Sequence, residues 1–275
     1  MESGIDKDTE QIELELFLEA LLRFHHYDLK SYSRDSLLRR VKALMNEQRL
    51  GSISALIALL AHDEHFRIHA INYLTVNVSY LFRDPDVFAA LKQSVFPYLT
   101  SFPRLSIWVA GCAEGLEAYS LAILLEEEGL LERSHIFATD INSKVLQQAS
   151  SGVLSSPLNS DDVDRYNQSL GTASLSEYFV TAYGKQKLKQ QLLSKITFEH
   201  HDLSQQPVFL SAQLILCRNV LIYFDKQLKE KVVDLLTESL EDNGHLVIGT
   251  KESIEFLNLE HDYLTIDKAC NIYKK

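Results

Sequence analysis

Apolar positions along this chain recur first with a helical period and later in short continuous runs, and the change divides it in two. From residue 10 to 24, Ile12, Leu14, Leu16, Phe17, Ala20, Leu21 and Phe24 mark a helix with one buried face. Leu37, Leu38, Val41, Leu44 and Met45 repeat the pattern after Tyr27, and Ile53 to Leu60 begins another helix after Gly51. His62, His65 and His69 follow at i, i+3 and i+7, which predicts one side of a single helix. Surface histidines are the plain reading, since no carboxylate or cysteine completes a metal set. Leu74 to Phe82 is apolar but threaded by Thr75, Asn77 and Ser79, with Arg83 just before an Asp84-Pro85 helix start. Such embedded polar groups need hydrogen-bond partners, either as caps or as the lining of a ligand pocket. Phe88, Leu91, Val95 and Phe96 then continue a helix expected to stop near Pro97.

Beyond Pro103 the runs shorten to strand length. Ser106-Ile-Trp-Val-Ala110 breaks at Gly111-Cys112-Ala113-Glu114-Gly115, and Tyr119, Leu121, Ala122, Leu124 and Leu125 resume a helix. Ile136 to Thr139 is a second strand that ends on Asp140, and Lys195 to His201 leads to Asp202-Leu203. Gln213 to Cys217 precedes Arg218-Asn219-Val220, and a helix is expected from Lys226 to Leu240. Asn243-Gly244 then turns into a strand from His245 to Gly249. Tyr263 to Ile266 and Ala269 to Tyr273 read as a closing antiparallel pair. Glu177 to Ala182, Tyr183-Gly184 and Lys185 to Lys189 read as an inserted β-hairpin, spanning about 177–195. Strand, glycine turn, helix, strand, acid opens a nucleotide- or adenosyl-binding α/β sheet. The expected fold is therefore a Rossmann-like α/β sheet, 76–275, preceded by an all-α domain over 10–75.

Charge narrows the ligand. A pyrophosphate loop needs three glycines and no nearby anion. Here Glu114 and Glu117 stand at and just inside the helix start. They repel phosphate and attract a cation, although either could serve only to offset the helix dipole. An adenosyl ligand with an ammonium and no phosphate, S-adenosylmethionine (SAM), suits them, with Asp140 placed to accept from ribose hydroxyls. Ligands bind outside the carboxyl ends of such strands, so Gly111, Asp140, Asp202 and Asn219 are expected around one crevice.

With 275 residues, 46% of them apolar, the chain can bury a full core, and a net charge of −11 argues against a nucleic-acid binder. Against that balance, Arg23 to Arg49 holds seven basic and three acidic residues. This is either a solvated face or a docking face for an acidic partner. No apolar run reaches the roughly 20 residues of a membrane span, and the acidic start (Glu2, Asp6, Asp8, Glu10) is unlike a signal peptide. Three unpaired cysteines, Cys112, Cys217 and Cys270, fit a reducing cytoplasm.

Four stretches together resemble the CheR-type chemotaxis receptor methyltransferases of bacteria, in order and spacing over nearly the whole chain. They are Thr75 to Pro85, Ala110 to Ser120, Ala138-Thr-Asp-Ile141 and Cys217-Arg-Asn-Val-Leu-Ile-Tyr-Phe224. The resemblance implies transfer of a methyl group from SAM to glutamate side chains of a chemoreceptor, leaving S-adenosylhomocysteine (SAH). It implies SAM contacts from Asn77, Ser79, Arg83, Gly111, Glu117, Asp140, Asp202, Leu203, Asn219 and Val220. Arg83 and Tyr223 would lie near the transferred methyl. The basic face, Arg34, Arg39, Arg40 and Lys42, would meet the receptor's cytoplasmic helical region. The short Tyr183-Gly184 turn resembles members that lack a receptor-pentapeptide tether, and a monomer without direct membrane insertion is expected. Glu114, Leu116 and Ala118 replace the family's usual Ser or Thr, Glu and Pro; Asp202 replaces a frequent Asn, and Lys251 a small or polar residue. Two other readings stand beside this one: a diverged SAM-binding sensor or scaffold without turnover, and a small-molecule methyltransferase.

Overall fold

The apolar stripes of the N-terminal segment fold onto one another as helices. The structure, a computed structural model, describes residues 7–75, 79–254 and 263–275. It divides into two units. One holds the described residues through Thr75 together with Tyr223–Leu228, and the other holds the rest. In the first unit α1 (Lys7–His25), α2 (Arg34–Glu47), α3 (Ser54–His62) and α4 (Glu64–Thr75) share a core. Leu14, Phe17, Leu18 and Leu21 meet Leu37, Val41 and Leu44 from α2, Leu56 and Leu60 from α3, and Phe66, Ala70 and Leu74 from α4. The three histidines do not share a helix. Asp63 adopts an extended conformation after α3, and its Oδ1 accepts the Phe66 N–H at 3.0 Å to start α4. His62 therefore ends one helix while His65 and His69 belong to the next.

In the second unit Asp84 leads into α5 (Pro85–Ala90), with Pro85 at the first turn, where a missing N–H costs nothing. The helix does not stop at Pro97. Pro97 has no N–H for the carbonyl four residues back, and the ladder widens into a π turn (Leu91–Val95). There the Phe96 N–H bonds to Leu91, and α6 (Phe96–Leu99) follows.

The chain then builds β1 (Leu105–Ala110), α7 (Leu116–Glu127), β2 (Ser134–Asp140), α8 (Ser143–Ser151) and α9 (Ser160–Gln168). A small ribbon of β3 (Phe179–Ala182) and β4 (Lys185–Leu188) comes next, then α10 (Gln190–Leu193), β5 (Ile196–His200) and β6 (Ala212–Cys217). The last elements are α11 (Lys226–Ser239), β7 (Leu240–Ile248), β8 (Leu264–Asp267) and β9 (Ile272–Lys274). The ribbon turns at Tyr183 and Gly184, both left-handed (φ 51° and 71°), as a two-residue hairpin requires. Strand β7 begins earlier than Asn243-Gly244 suggests. Leu240 already pairs with Ala212, and a register shift absorbs the turn before His245 pairs with Leu214.

The described strands form a sheet ordered β5-β2-β1-β6-β7-β9-β8. The first five are parallel, β9 is antiparallel to β7, and β8 is antiparallel to β9. Strands β1 and β6 are buried almost throughout, which is why they read as continuous apolar runs rather than alternating ones. From β1 the chain winds to β2 on one side, and from β6 to β7 on the other. The crevice of the fold lies at the carboxyl ends of β1 and β6.

Candidate active site

Two loops meet at that switch point. Gly111 follows β1 with φ 73°, and a Cβ there would stand 2.4 Å from Cγ2 of Val220, which follows β6. The Gly111 and Cys112 N–H groups both donate to the Thr139 carbonyl, at 2.8 and 2.9 Å. Ala113 and Gly115 are also left-handed, so the loop coils tightly before α7 begins at Leu116. Glu117 is buried in the first turn of α7. Glu114 does not face into the turn with it: its Oε2 accepts the Ser155 hydroxyl at 2.7 Å.

Asp140, at the end of β2, locks the loop from the far side. Its Oδ2 accepts the Ala113 N–H and its Oδ1 the Asn142 N–H, both at 2.9 Å. Burial pushes the Asp140 carboxyl above the usual carboxylate range, while the N–H groups of Asn142 and Ala113 pull it back. A carboxylate has about four lone-pair positions, so Asp140 keeps acceptor capacity for ribose hydroxyls. Past β5, the Asp202 Oδ1 takes the Ser204 N–H and hydroxyl at 2.8 and 2.6 Å, and Leu203 is buried beside it.

Asn219 adopts φ 60°. Its N–H donates at 3.1 Å to Oε2 of Glu252, a buried carboxylate that also accepts from Gly249 at 2.5 Å and Ile222 at 3.1 Å. Burial raises the Glu252 carboxyl, against the pull of those N–H groups. A Cβ on Gly249 would strike both the Glu252 carboxylate and the Asn219 backbone, at 2.7 and 2.9 Å. Behind them, the Asn271 side-chain amide donates to the carbonyls of Gly249 and Glu252, each at 2.8 Å.

Arg83 sits between two left-handed residues, Phe82 (φ 53°) and Asp84 (φ 54°). For a residue as bulky as Phe this conformation is strained, and it persists only where its surroundings hold it. The Phe82 N–H donates to the Ser120 hydroxyl at 2.8 Å. The Arg83 carbonyl and the Asp84 carboxylate both accept from the Arg218 guanidinium, at 2.9 and 2.8 Å, while Arg218 Nη1 donates to Glu117 Oε1 at 2.5 Å. The Arg218 side chain is 1% exposed. Ser79 lines a cavity of about 250 Å³ with Glu114, Leu116, Ser155 and Arg165. Asn77 lies outside the described residues.

Arg218 and Glu252 had no assigned place in the sequence reading, though both carried a signal. A charge at the end of a buried strand must find counter-charges, and Glu252 follows the carboxyl end of β7, where this fold places its sites.

The remaining candidates lie in the helical unit. Arg34 and Arg39 are exposed. Arg40 is half-buried and committed: it donates to the Leu74 carbonyl at 2.7 Å and to Ser36 Oγ at 3.0 Å, and its guanidinium lies 4.7 Å over the Tyr223 ring. Lys42 pairs with Glu10 at 2.6 Å. Arg40 is therefore a packing residue rather than a free docking cation, and the exposed part of the predicted basic face narrows to Arg34 and Arg39. Tyr223 packs within this unit, where its carbonyl accepts the Ser33 N–H at 2.7 Å.

The residues present fit SAM. Gly111 lets the loop after β1 pass against Val220, where a Cβ would not fit. Glu117 gives one carboxylate oxygen to Arg218 and has a second with which to receive an ammonium.

Comparisons with known proteins agree. Residues 77–270 match the SAM-binding domain of the CheR methyltransferases, and residues 12–75 match their all-alpha domain. The chain is 39% identical to the Pseudomonas putida protein Cher3, over 96% of this chain and 97% of that one. It is 30% identical to a chemotaxis protein methyltransferase of Listeria monocytogenes, over 82% and 84%. It is 29% identical to one of Vibrio parahaemolyticus, over 90% of each. The two matched domains place this chain in the CheR methyltransferase family, with SAM as its cofactor.

Proposed function

We propose that this protein methylates glutamate side chains in the cytoplasmic helical region of a chemoreceptor, forming glutamyl methyl esters. The observation that carries the reading is the Arg218 guanidinium, which joins the strained turn at the Arg83 carbonyl to Glu117 in the first turn of α7. When bound, SAM supplies an electrophilic methyl whose departure leaves the neutral thioether SAH. The acceptor needs no base, because a free glutamate has a pKa of about 4.3 and is already an anion at neutral pH. The carboxylate oxygen forms the new bond to the methyl carbon as the carbon–sulfur bond breaks, and its electron pair stays on sulfur. No proton moves. The chain's contribution is alignment and exclusion of water, since opposite charges are neutralised on the way to the transition state. Arg83 orients the acceptor carboxylate. Glu117 meets the ammonium of SAM, Asp140 the ribose, and Gly111, Asp202, Leu203, Asn219 and Val220 enclose the adenosyl group. Ser79 belongs to the same set, to which the resemblance alone adds Asn77 and Tyr223.

The helical unit is read as the docking part, with Arg34 and Arg39 facing acidic receptor helices without a pentapeptide tether, in the cytoplasm and as a monomer. No helix among the described residues is long and apolar enough to cross a membrane. The alternative, a SAM-binding sensor without turnover, takes its motive from the altered glycine turn, Glu114, Leu116 and Ala118. The Glu114–Ser155 hydrogen bond turns that carboxylate aside and weakens the motive. Calorimetric titration with SAM and SAH, followed by tritiated methyl transfer to receptor-bearing membranes, tests the reading. Binding of both with labelled receptor supports it; binding without label selects the sensor; no binding of either removes the enzyme.

A further inference from the structure

Arg218 is one of the most deeply buried charges described, and its two terminal nitrogens serve different sides. Nη1 holds Glu117 in the first turn of α7, and Nη2 holds the Arg83 carbonyl and the Asp84 carboxylate. Its guanidinium carbon also lies 5.5 Å from the Phe88 ring centre. Only one Glu117 oxygen is taken by Arg218, so the other remains to accept from a ligand ammonium. On the opposite side, the Phe82–Asp84 turn is left-handed at two non-glycine positions. Arg218 and Ser120 hold it from both flanks of Arg83.

We propose that Arg218 is a positioning residue that fixes, through one guanidinium, both the carboxylate that meets the SAM ammonium and the turn that presents Arg83. The inference rests on the assignment of Glu117 to cofactor and Arg83 to acceptor. A lysine cannot replace this arrangement: its ammonium keeps the charge but lacks the planar fork that reaches both sides.

The test separates the two sides. Arg218→Lys is expected to raise the SAH Kd about tenfold by calorimetry, and to lower methyl transfer at saturating SAM about tenfold. Asp84→Asn, at a partly exposed position, cuts the turn side alone. It should lower transfer at saturating SAM while the SAH Kd stays within about twofold. In an Arg83→Ala background, Asp84→Asn should cost nothing more, because the turn acts only through Arg83. The proposal is overturned if Arg218→Lys leaves both readouts within about twofold of wild type, or if the Asp84 and Arg83 losses multiply. Should Arg218→Lys fail to fold, the Asp84→Asn pair decides. If Arg83→Ala alone leaves transfer unchanged, the acceptor assignment fails instead, and the SAH Kd of Arg218→Lys still tests the Glu117 side.

Discussion

The Glu252 carboxylate receives the backbone N–H of Asn219, and the same oxygen receives that of Gly249. This places a buried acid behind the left-handed residue that closes the crevice. Glu252→Gln exchanges one acceptor oxygen for a donor facing backbone N–H groups. The expected cost is about 1–3 kcal/mol of stability, from donors left unpaired in a buried place. A lower denaturation midpoint together with a weaker SAH affinity checks it, since the Asn219 loop is what Glu252 holds.

Gly111→Ala should damage cofactor binding more than folding. Its φ of 73° strains any side chain by about 1–2 kcal/mol, and the new methyl would press on Val220 at 2.4 Å. Calorimetry should show weaker SAH binding. Val220→Ala in the same chain should recover part of it, because only the steric share of the loss is relieved.

The basic face of α2 predicts a split between neighbours. Arg39→Glu, at an exposed position, should raise the KM for receptor with little change in Tm, and the effect should shrink as salt rises. Arg40→Ala should instead lower the Tm, because it removes donors to Leu74 and Ser36 and the cation over Tyr223. Thermal melts beside receptor-dependent kinetics distinguish the two.

His245 predicts a pH dependence. Buried against Tyr98, with ring centres 5.0 Å apart, it is held down to about 4, by burial first and by Lys274 second. Unfolded, it would take up a proton near pH 6.5. The folded state thus binds fewer protons, so the stabilisation is complete above about pH 6.5 and drains away as pH falls toward about 4. His245→Gln should flatten the Tm profile over that interval. His201, also pushed down by burial, keeps part of the slope.

The sheet was legible in the chain because its parallel strands are short apolar runs ended by Gly111, Asp140 and Asn219. Glycine at a left-handed turn and an acid at a strand end are local signals. Arg218 and Glu252 were not legible as site residues, because what they do depends on partners far along the chain. Arg218 meets Glu117 across 101 residues and Asp84 across 134, and no periodicity encodes such pairings. Arg40 was misplaced for the same reason: its partners Leu74 and Tyr223 come from elsewhere in the helical unit. The histidine spacing misled because Asp63 restarts the helix, a capping signal that outweighs the apparent period. Glu114 stood out by type, but its carboxylate direction depended on Ser155, 41 residues on.

The central claim is that the transferred methyl ends on a glutamate carboxylate. Tritiated methyl transfer to receptor-bearing membranes, followed by mild alkaline hydrolysis, tests it most directly. An ester releases its label as volatile methanol, and the label should be absent with Arg83→Ala enzyme or with receptor whose candidate glutamates are alanine. Label that survives alkali, or that appears on the alanine receptor to the same extent, would contradict glutamyl ester formation.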